Sequence, residues 1–346
     1  MGDSIGVSGA DRGVSTVVGF IFVVAILMIL LSINQAQVVP AENSQIEYRH
    51  SQAVLGDLQE LRNGILTAAG SGSTTPVSVQ LGTQYPSRVF AVNPAPASGK
   101  LHTVVVGTPP NVTISNAVAA TNEETRDYWN GDDRSFETRS IVYEPSYNAY
   151  TGAPNATIYE NSLLYKRFDN GATIAETDQV ILQNHTITLL AISGSLDESG
   201  SRSVSVDPRA ISGPYREITI ENDDPGPIEI AIPSSIGRAA FENLTDLPAY
   251  ASVSDGTGDH LLLSLDPGPY TLRMANVGVG SGAIEERPAY VTSVDGLPDQ
   301  VRTGSAHEIR VAVNDRFNNP VSGVPVNASA SAGSVDAAQH RTDEAG

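Results

Sequence analysis

The sequence predicts a mainly β protein carried on an N-terminal helical stem: a transmembrane helix continuing into an amphipathic helix, then an antiparallel β-sandwich ectodomain and a further β-rich segment at the C-terminus. Three observations predict it. No charged residue occurs between Arg12 and Glu42, in a chain of 346 residues with a formal charge of -19. An amphipathic period follows this stretch. Beyond it, short β-branched and aromatic runs recur at roughly ten-residue spacing, punctuated by Gly, Pro, Asn and Asp.

Residues 14–33 (VSTVVGFIFVVAILMILLSI) are apolar apart from Ser15, Thr16, Gly19 and Ser32. About twenty such residues at about 1.5 Å each cross the roughly 30 Å hydrocarbon core of a bilayer. Fourteen of them are Leu, Ile, Phe or Val, which favours insertion by very roughly -4 to -8 kcal/mol. A cleaved signal peptide is the competing reading, and it requires a basic n-region, an apolar core of about 7–15 residues and a small-x-small cleavage site. Here Arg12 is offset by Asp3 and Asp11, and the best site, ending at Ala36, has Asn34 where a small residue belongs. A retained anchor is therefore expected, with Val14, Phe20, Phe22, Leu27, Leu30 and Ile33 facing lipid.

The leader ending Asp11-Arg12-Gly13, followed by Val14-Ser15-Thr16-Val17-Val18-Gly19, resembles the class III signal of archaeal type IV pilins and pilin-like proteins. That resemblance implies cleavage between Gly13 and Val14, leaving the apolar helix as the mature N-terminus. The pattern departs from the family at Thr16, where many archaeal pilins have Pro, and at Val18, where bacterial pilins have Glu.

Pro40 is expected to interrupt the helix, and residues 44–69 then read as an amphipathic helix with Val54, Leu58, Leu61 and Ile65 spaced four, three and four. Gly70-Ser-Gly-Ser-Thr-Thr-Pro76 ends it. Strands are predicted at 77–81, 88–92, 103–106, 112–115, 140–143, 157–168, 186–192, 216–221, 228–232, 261–265 and 270–274. In Leu263-Ser-Leu265-Asp-Pro267-Gly268-Pro-Tyr270 an alternating strand meets a Pro-Gly turn, and the tyrosine opening the next strand is placed to bond back to the corner's backbone, as in a tyrosine corner.

Near the C-terminus, Asp315-Arg-Phe-Asn-Asn319-Pro320-Val321-Ser-Gly323-Val324-Pro325-Val326, with Gly333-Ser-Val335 and Thr342-Asp343-Glu344-Ala-Gly346, resembles the bacterial Ig-like (Big-1, invasin-type) family. The resemblance implies a partial Ig-like β-sandwich that stops on the turn before its last strands, leaving an unpaired edge and pointing to truncation. The expected divisions are a leader at 1–13, transmembrane helix at 14–39, amphipathic helix and linker at 40–76, β-rich extracellular domain at 77–286 and partial Ig-like domain at 287–346. The middle segment, with its Tyr143-Glu-Pro145-Ser-Tyr147-Asn-Ala-Tyr150 stretch, resembles haloarchaeal pilin-like surface proteins.

Composition narrows function. Acidic residues number 39 against 20 basic ones, and lysine occurs only at Lys100 and Lys166, a balance that resembles halophilic proteomes. Hydrated carboxylates then keep the surface soluble, and the lack of a basic patch argues against nucleic acid as a partner. The chain has no cysteine, which removes disulfides, thiolate metal sites and cysteine nucleophiles together. Sequons at Asn111, Asn155, Asn184, Asn243 and Asn327 are candidate glycosylation sites.

Chemistry is poorly represented. No G-x-S-x-G occurs, and His50, His102, His185, His260, His307 and His340 lack metal-ligand spacing, so each reads as a lone surface or turn residue. Gly278-Val-Gly280-Ser-Gly-Ala283 matches a dinucleotide fingerprint, but Glu285-Glu286-Arg287-Pro288 denies the helix that such a site needs. Asp132-Asp133, Asp223-Asp224 and Asp255-Gly-Thr-Gly-Asp259 lack EF-hand spacing and read as solvated turns. The expectation is a cofactor-free, non-catalytic membrane-anchored protein, its bulk extracellular, whose partners are the lipid membrane and, by resemblance, other pilin-like subunits, the S-layer or surface glycans. The alternative is a membrane-bound enzyme or a solute- or glycan-binding protein with its site in the β-domain.

Overall fold

The structure, a computed structural model, describes residues 11–120, 123–295, 302–336 and 338–346; the leader expected over residues 1–13 lies outside them up to residue 10. It is mainly β, with a long apolar helix at the N-terminus and several antiparallel sheets.

Helix α1 (Asp11–Ile33) and helix α2 (Val39–Ser71) are joined by a single π-turn, Asn34–Val38, so the helical path never breaks. This corrects the interruption expected at Pro40. Proline occupies the first turn of α2, where a missing N–H is least costly. Its ring would strike the carbonyl four residues back in a regular helix. The wider π-turn avoids this, with the Val39 N–H donating to the Asn34 carbonyl five residues earlier. Gly72, at φ 71°, ends α2 in the left-handed conformation that glycine adopts without strain, and donates its N–H to the Ala68 carbonyl at 2.9 Å.

One stripe of α2 is buried along its length: Val39, Asn43, Glu47, His50, Val54, Leu58, Leu61, Ile65 and Ala68 follow one another at spacings of three and four. The stripe changes character midway. From Val54 onward it is apolar and packs with Val79, Leu81, Leu101, Ile141, Tyr143 and Val277; between Val39 and Val54 it is polar. Arg62, flanking the stripe, is buried and donates to the carbonyls of Ser162 at 2.9 Å and Asp178 at 2.7 Å, fastening α2 to a β-hairpin.

The strand Tyr270–Gly278 is the hub of the β-body. Its period of two sends Tyr270, Leu272 and Met274 to the larger apolar cluster, whereas Ala275, Val277 and Val279, the last just beyond the strand, join the cluster under α2. It pairs antiparallel with Glu217–Asn222 and Arg209–Ser212, but parallel with Thr186–Ser193 over eight residues, from Thr186 opposite Thr271 to Ser193 opposite Gly278. The sequence predicts only antiparallel pairing. A parallel pair needs a long crossover, which the chain between Ser193 and Tyr270 provides, and burial on both faces, which the two clusters provide.

A second sheet runs through Ser98–Val104, Ser140–Ser146, Ala156–Glu160 and Leu163–Arg167, and a third through Ala251–Asp255, His260–Leu265, Ile228–Pro233, Asn111–Ser115 and Arg134–Glu137. The single strand expected at 157–168 is a hairpin instead. Asn161 and Ser162, at φ 49° and 66°, supply the left-handed pair that a two-residue turn requires. The strand expected at 88–92 is a loop with no strand beside it. At the Pro-Gly corner the Tyr270 hydroxyl donates to the Asp266 carbonyl at 2.8 Å, as expected of a tyrosine corner.

At the C-terminal end, Pro288–Ser293 pairs with Val311–Asp315, and Pro325–Asn327 with Gln339–Arg341. The Asp315–Asn319 turn enters the larger cluster: Phe317 is buried 5.0 Å from the Phe136 ring. Trp129 Nε1 donates to Asn318 Oδ1 at 2.7 Å. Asn319 bonds the Met274 carbonyl and Ser212 hydroxyl, both at 2.8 Å, and accepts the Arg216 N–H at 2.8 Å.

Candidate membrane anchor, juxtamembrane clasp and β-body pocket

Helix α1 buries none of its most apolar eighteen-residue window, and it is long and apolar enough to cross a membrane. Phe20, Phe22, Leu27, Leu30 and Ile33 are all exposed, from 47% for Ile33 to 69% for Phe20. Gly13 and Val14, the expected processing site, lie within α1. Among the described residues of the β-body most large apolar side chains lie inside, the loop with Val89, Phe90 and Val92 being an exception. Exposed apolar area costs about 25 cal/mol per Å² in water, so the surface of α1 is costly to leave hydrated.

Directly above α1 the chain is clasped by polar groups. The Gln35 side chain brackets Val92, donating to its carbonyl at 2.9 Å and accepting its N–H at 2.8 Å. Arg88 pairs with Glu42 at 2.8 Å and donates to Asn43 and Asn93 at 3.1 and 3.0 Å. Glu47, with no exposed surface, accepts the backbone N–H groups of Asn148, Ala149 and Tyr150 at 2.7, 2.8 and 2.5 Å, and the Tyr85 hydroxyl besides. Burial opposes its ionisation, but the Tyr85 hydroxyl and the three N–H donors outweigh that and hold its pKa below the ordinary value. Burial pushes the Tyr85 hydroxyl up to about 12, with Glu47 adding to the shift.

His50, expected at the surface, is instead 5% exposed, its ring nitrogens 2.8 Å from the Tyr147 hydroxyl and 3.0 Å from the Gln80 carbonyl. Burial lowers its pKa. The helical stripe could have revealed Asn43, Glu47 and His50, since they extend the spacing of Val54 and Leu58; their polarity hid them from a search for apolar residues.

The remaining candidates are scattered. Asn155, Asn184, Asn243 and Asn327 are exposed, whereas Asn111 is half-buried at the start of a strand. No helix follows Gly280 within residues 281–287. Among the described residues no group of three or more His, Asp or Glu side chains is placed to hold a metal ion.

An open pocket of about 440 Å³ on the β-body brings together Ser234, Ser235, Asp255, Asp259 and His260. Beneath it Glu160 is buried, accepting Ser234 Oγ at 2.8 Å, the Ser235 N–H at 2.9 Å and Ser140 Oγ at 3.1 Å. Burial raises the pKa of Glu160 despite these bonds. Ser235 Oγ lies 2.7 Å from the Tyr165 hydroxyl. His260 turns its ring nitrogens to the carbonyls of Thr257 and Asn111 at 3.1 and 3.3 Å, not to either serine. The arrangement lacks the nucleophile–base hydrogen bond of acyl-transfer sites.

No family model matches the chain, and no solved structure does. An uncharacterized protein from Archaeoglobus fulgidus is 30% identical over 162 residues, 47% of this chain. The chain spans only 26% of that relative's length.

Proposed function

We propose that the chain is a membrane-anchored, extracellular structural or interaction protein with a pilin-like layout, acting by position and not by catalysis. The observation that carries this reading is the unbroken passage from a helix whose most apolar eighteen-residue window is unburied and free of charge into a helix buried against the β-body. Insertion of α1 then fixes the orientation of everything above it. The exposed acidic surface and the exposed sequons support a role in contact with other pilin-like subunits, the S-layer or surface glycans. The Asp315–Asn319 and Thr342–Gly346 motifs support an Ig-like reading of the C-terminal segment, and the two faces of buried strands support a sandwich-like body.

Membrane fractionation tests the proposal. The full chain is expected in the membrane pellet and resistant to alkaline extraction, and N-terminal sequencing of the mature protein is expected to start at Val14. Free, unprocessed protein in the soluble fraction would refute it. The open pocket favours a second reading, binding of a hydroxylated solute, because Asp255, Asp259, His260 and two serines converge there. A saturable thermal shift with simple sugars, abolished in Asp259→Asn, would support that reading.

A further inference from the structure

We propose that the loop at residues 85–93 is a second membrane contact, in which Val89, Phe90 and Val92 insert into the extracytoplasmic leaflet beside α1. The inference rests on α1 spanning the bilayer. Val89, Phe90 and Val92 are exposed by 88%, 78% and 76%, more than Phe20 of α1 at 69%. Residues 88–92 carry the β-branched and aromatic pattern of a strand yet pair with none.

Depth identifies the occupant. Val89, Phe90 and Ala91 share a groove with Leu27, Leu30 and Leu31. If the hydrocarbon ends near Ile33, then at about 1.5 Å per residue Leu30 lies about 4.5 Å and Leu27 about 9 Å below its surface. The loop therefore occupies the boundary between headgroups and acyl chains, where apolar side chains of peripheral segments settle. Irregular backbone at that depth needs its polar groups satisfied. The Gln35 amide satisfies both the N–H and the carbonyl of Val92, and Asn93 Nδ2 donates to the Pro86 carbonyl at 2.7 Å. The one cation of the loop, Arg88, also borders this groove, but its charge is met by Glu42 and its remaining donors by Asn43 and Asn93. The loop thus exposes its apolar groups while its one charge is paired rather than left bare.

Because the chain has no cysteine, single substitutions can each carry one environment-sensitive fluorophore. The full-length Phe90→Cys, Val89→Cys, Leu27→Cys and Ile174→Cys variants would be labelled and reconstituted in phosphatidylcholine nanodiscs with or without shallow nitroxide-bearing lipids. Ile174 is an exposed control near Gln59, which bonds the Glu176 carbonyl, about 36 Å beyond Gln35 along the helix at about 1.5 Å per residue. Probes at 27, 89 and 90 are expected to lose most of their emission to the nitroxide lipids, and the probe at 174 to keep it. Quenching at 27 but not at 89 or 90 overturns the loop contact and leaves the anchor standing. Probes at 89 and 90 that are shielded from water but not quenched by lipid would place a second copy of the chain there, which also overturns it. Absence of quenching at 27 overturns the anchor, and the loop contact with it.

Discussion

Glu47 is the polar centre of the joint between stem and body, since one carboxylate satisfies three consecutive backbone donors and a hydroxyl. Glu47→Gln turns an amide hydrogen towards those donors and is expected to cost about 1–3 kcal/mol, measured by denaturant unfolding of the detergent-solubilised chain. Its folded pKa is depressed, so its stabilisation is fully present above the unfolded glutamate value of about 4.3 and is lost as pH falls through the folded value. The stability difference between wild type and Glu47→Gln should accordingly shrink on acidification below about pH 4.3. Glu160 and Asp315, both raised by burial, act in the opposite sense, losing stabilisation as pH rises, so only the difference between the two proteins isolates Glu47. Phe317→Ala removes a ring 1% exposed beside Phe136 and is expected to cost about 3–5 kcal/mol in the same assay.

Among the elements, α1 was legible from residue identity alone, because an uncharged stretch of this length has few other uses. The apolar half of α2 was equally plain from Val54, Leu58, Leu61 and Ile65. Pro40 misled because its cost depends on the geometry of the preceding turn, and one π-turn removes the clash without leaving any mark in composition. Residues 88–92 misled for a related reason: Arg-Val-Phe-Ala-Val has strand propensity, but a strand exists only with a neighbour, and Gln35 and Glu42 hold this segment instead. The parallel partner of Tyr270–Gly278 could not be read locally, since register with Thr186–Ser193 is decided across the intervening sheet. Leu27→Asp or Ala25→Asp, near the middle of α1, should weaken insertion by about 3 kcal/mol. The measurement is the fraction released by alkaline extraction, and unchanged retention would count against the span.

For the whole molecule, the expected β-rich body was readable from recurring short strands, whereas the convergence of candidate chemistry was not. Ser234, Asp259 and His260 come close only through pairing of Ile228–Pro233 with His260–Leu265. Nor does the sequence reveal that the Asp315–Asn319 turn is sunk into the core, because Asn318 and Asn319 are polar residues buried for their hydrogen bonds to Trp129 and Met274. Asn319→Ala leaves the Arg216 N–H and the Met274 carbonyl without that partner. It should lower the midpoint of unfolding of the entire chain, an expected loss of about 1–3 kcal/mol; a separate, earlier transition of the C-terminal segment alone would contradict this coupling.

Since no coil separates α1 from α2, tension on the distal end of the body would, under the proposed anchoring, pass to the bilayer along one line of backbone hydrogen bonds. The seam between α2 and the sheets runs parallel to that line. A pull along that line would load the seam in shear, its contacts sharing the force, instead of peeling them apart in succession. A chain without a single covalent staple can in this way withstand traction through the direction in which it is drawn.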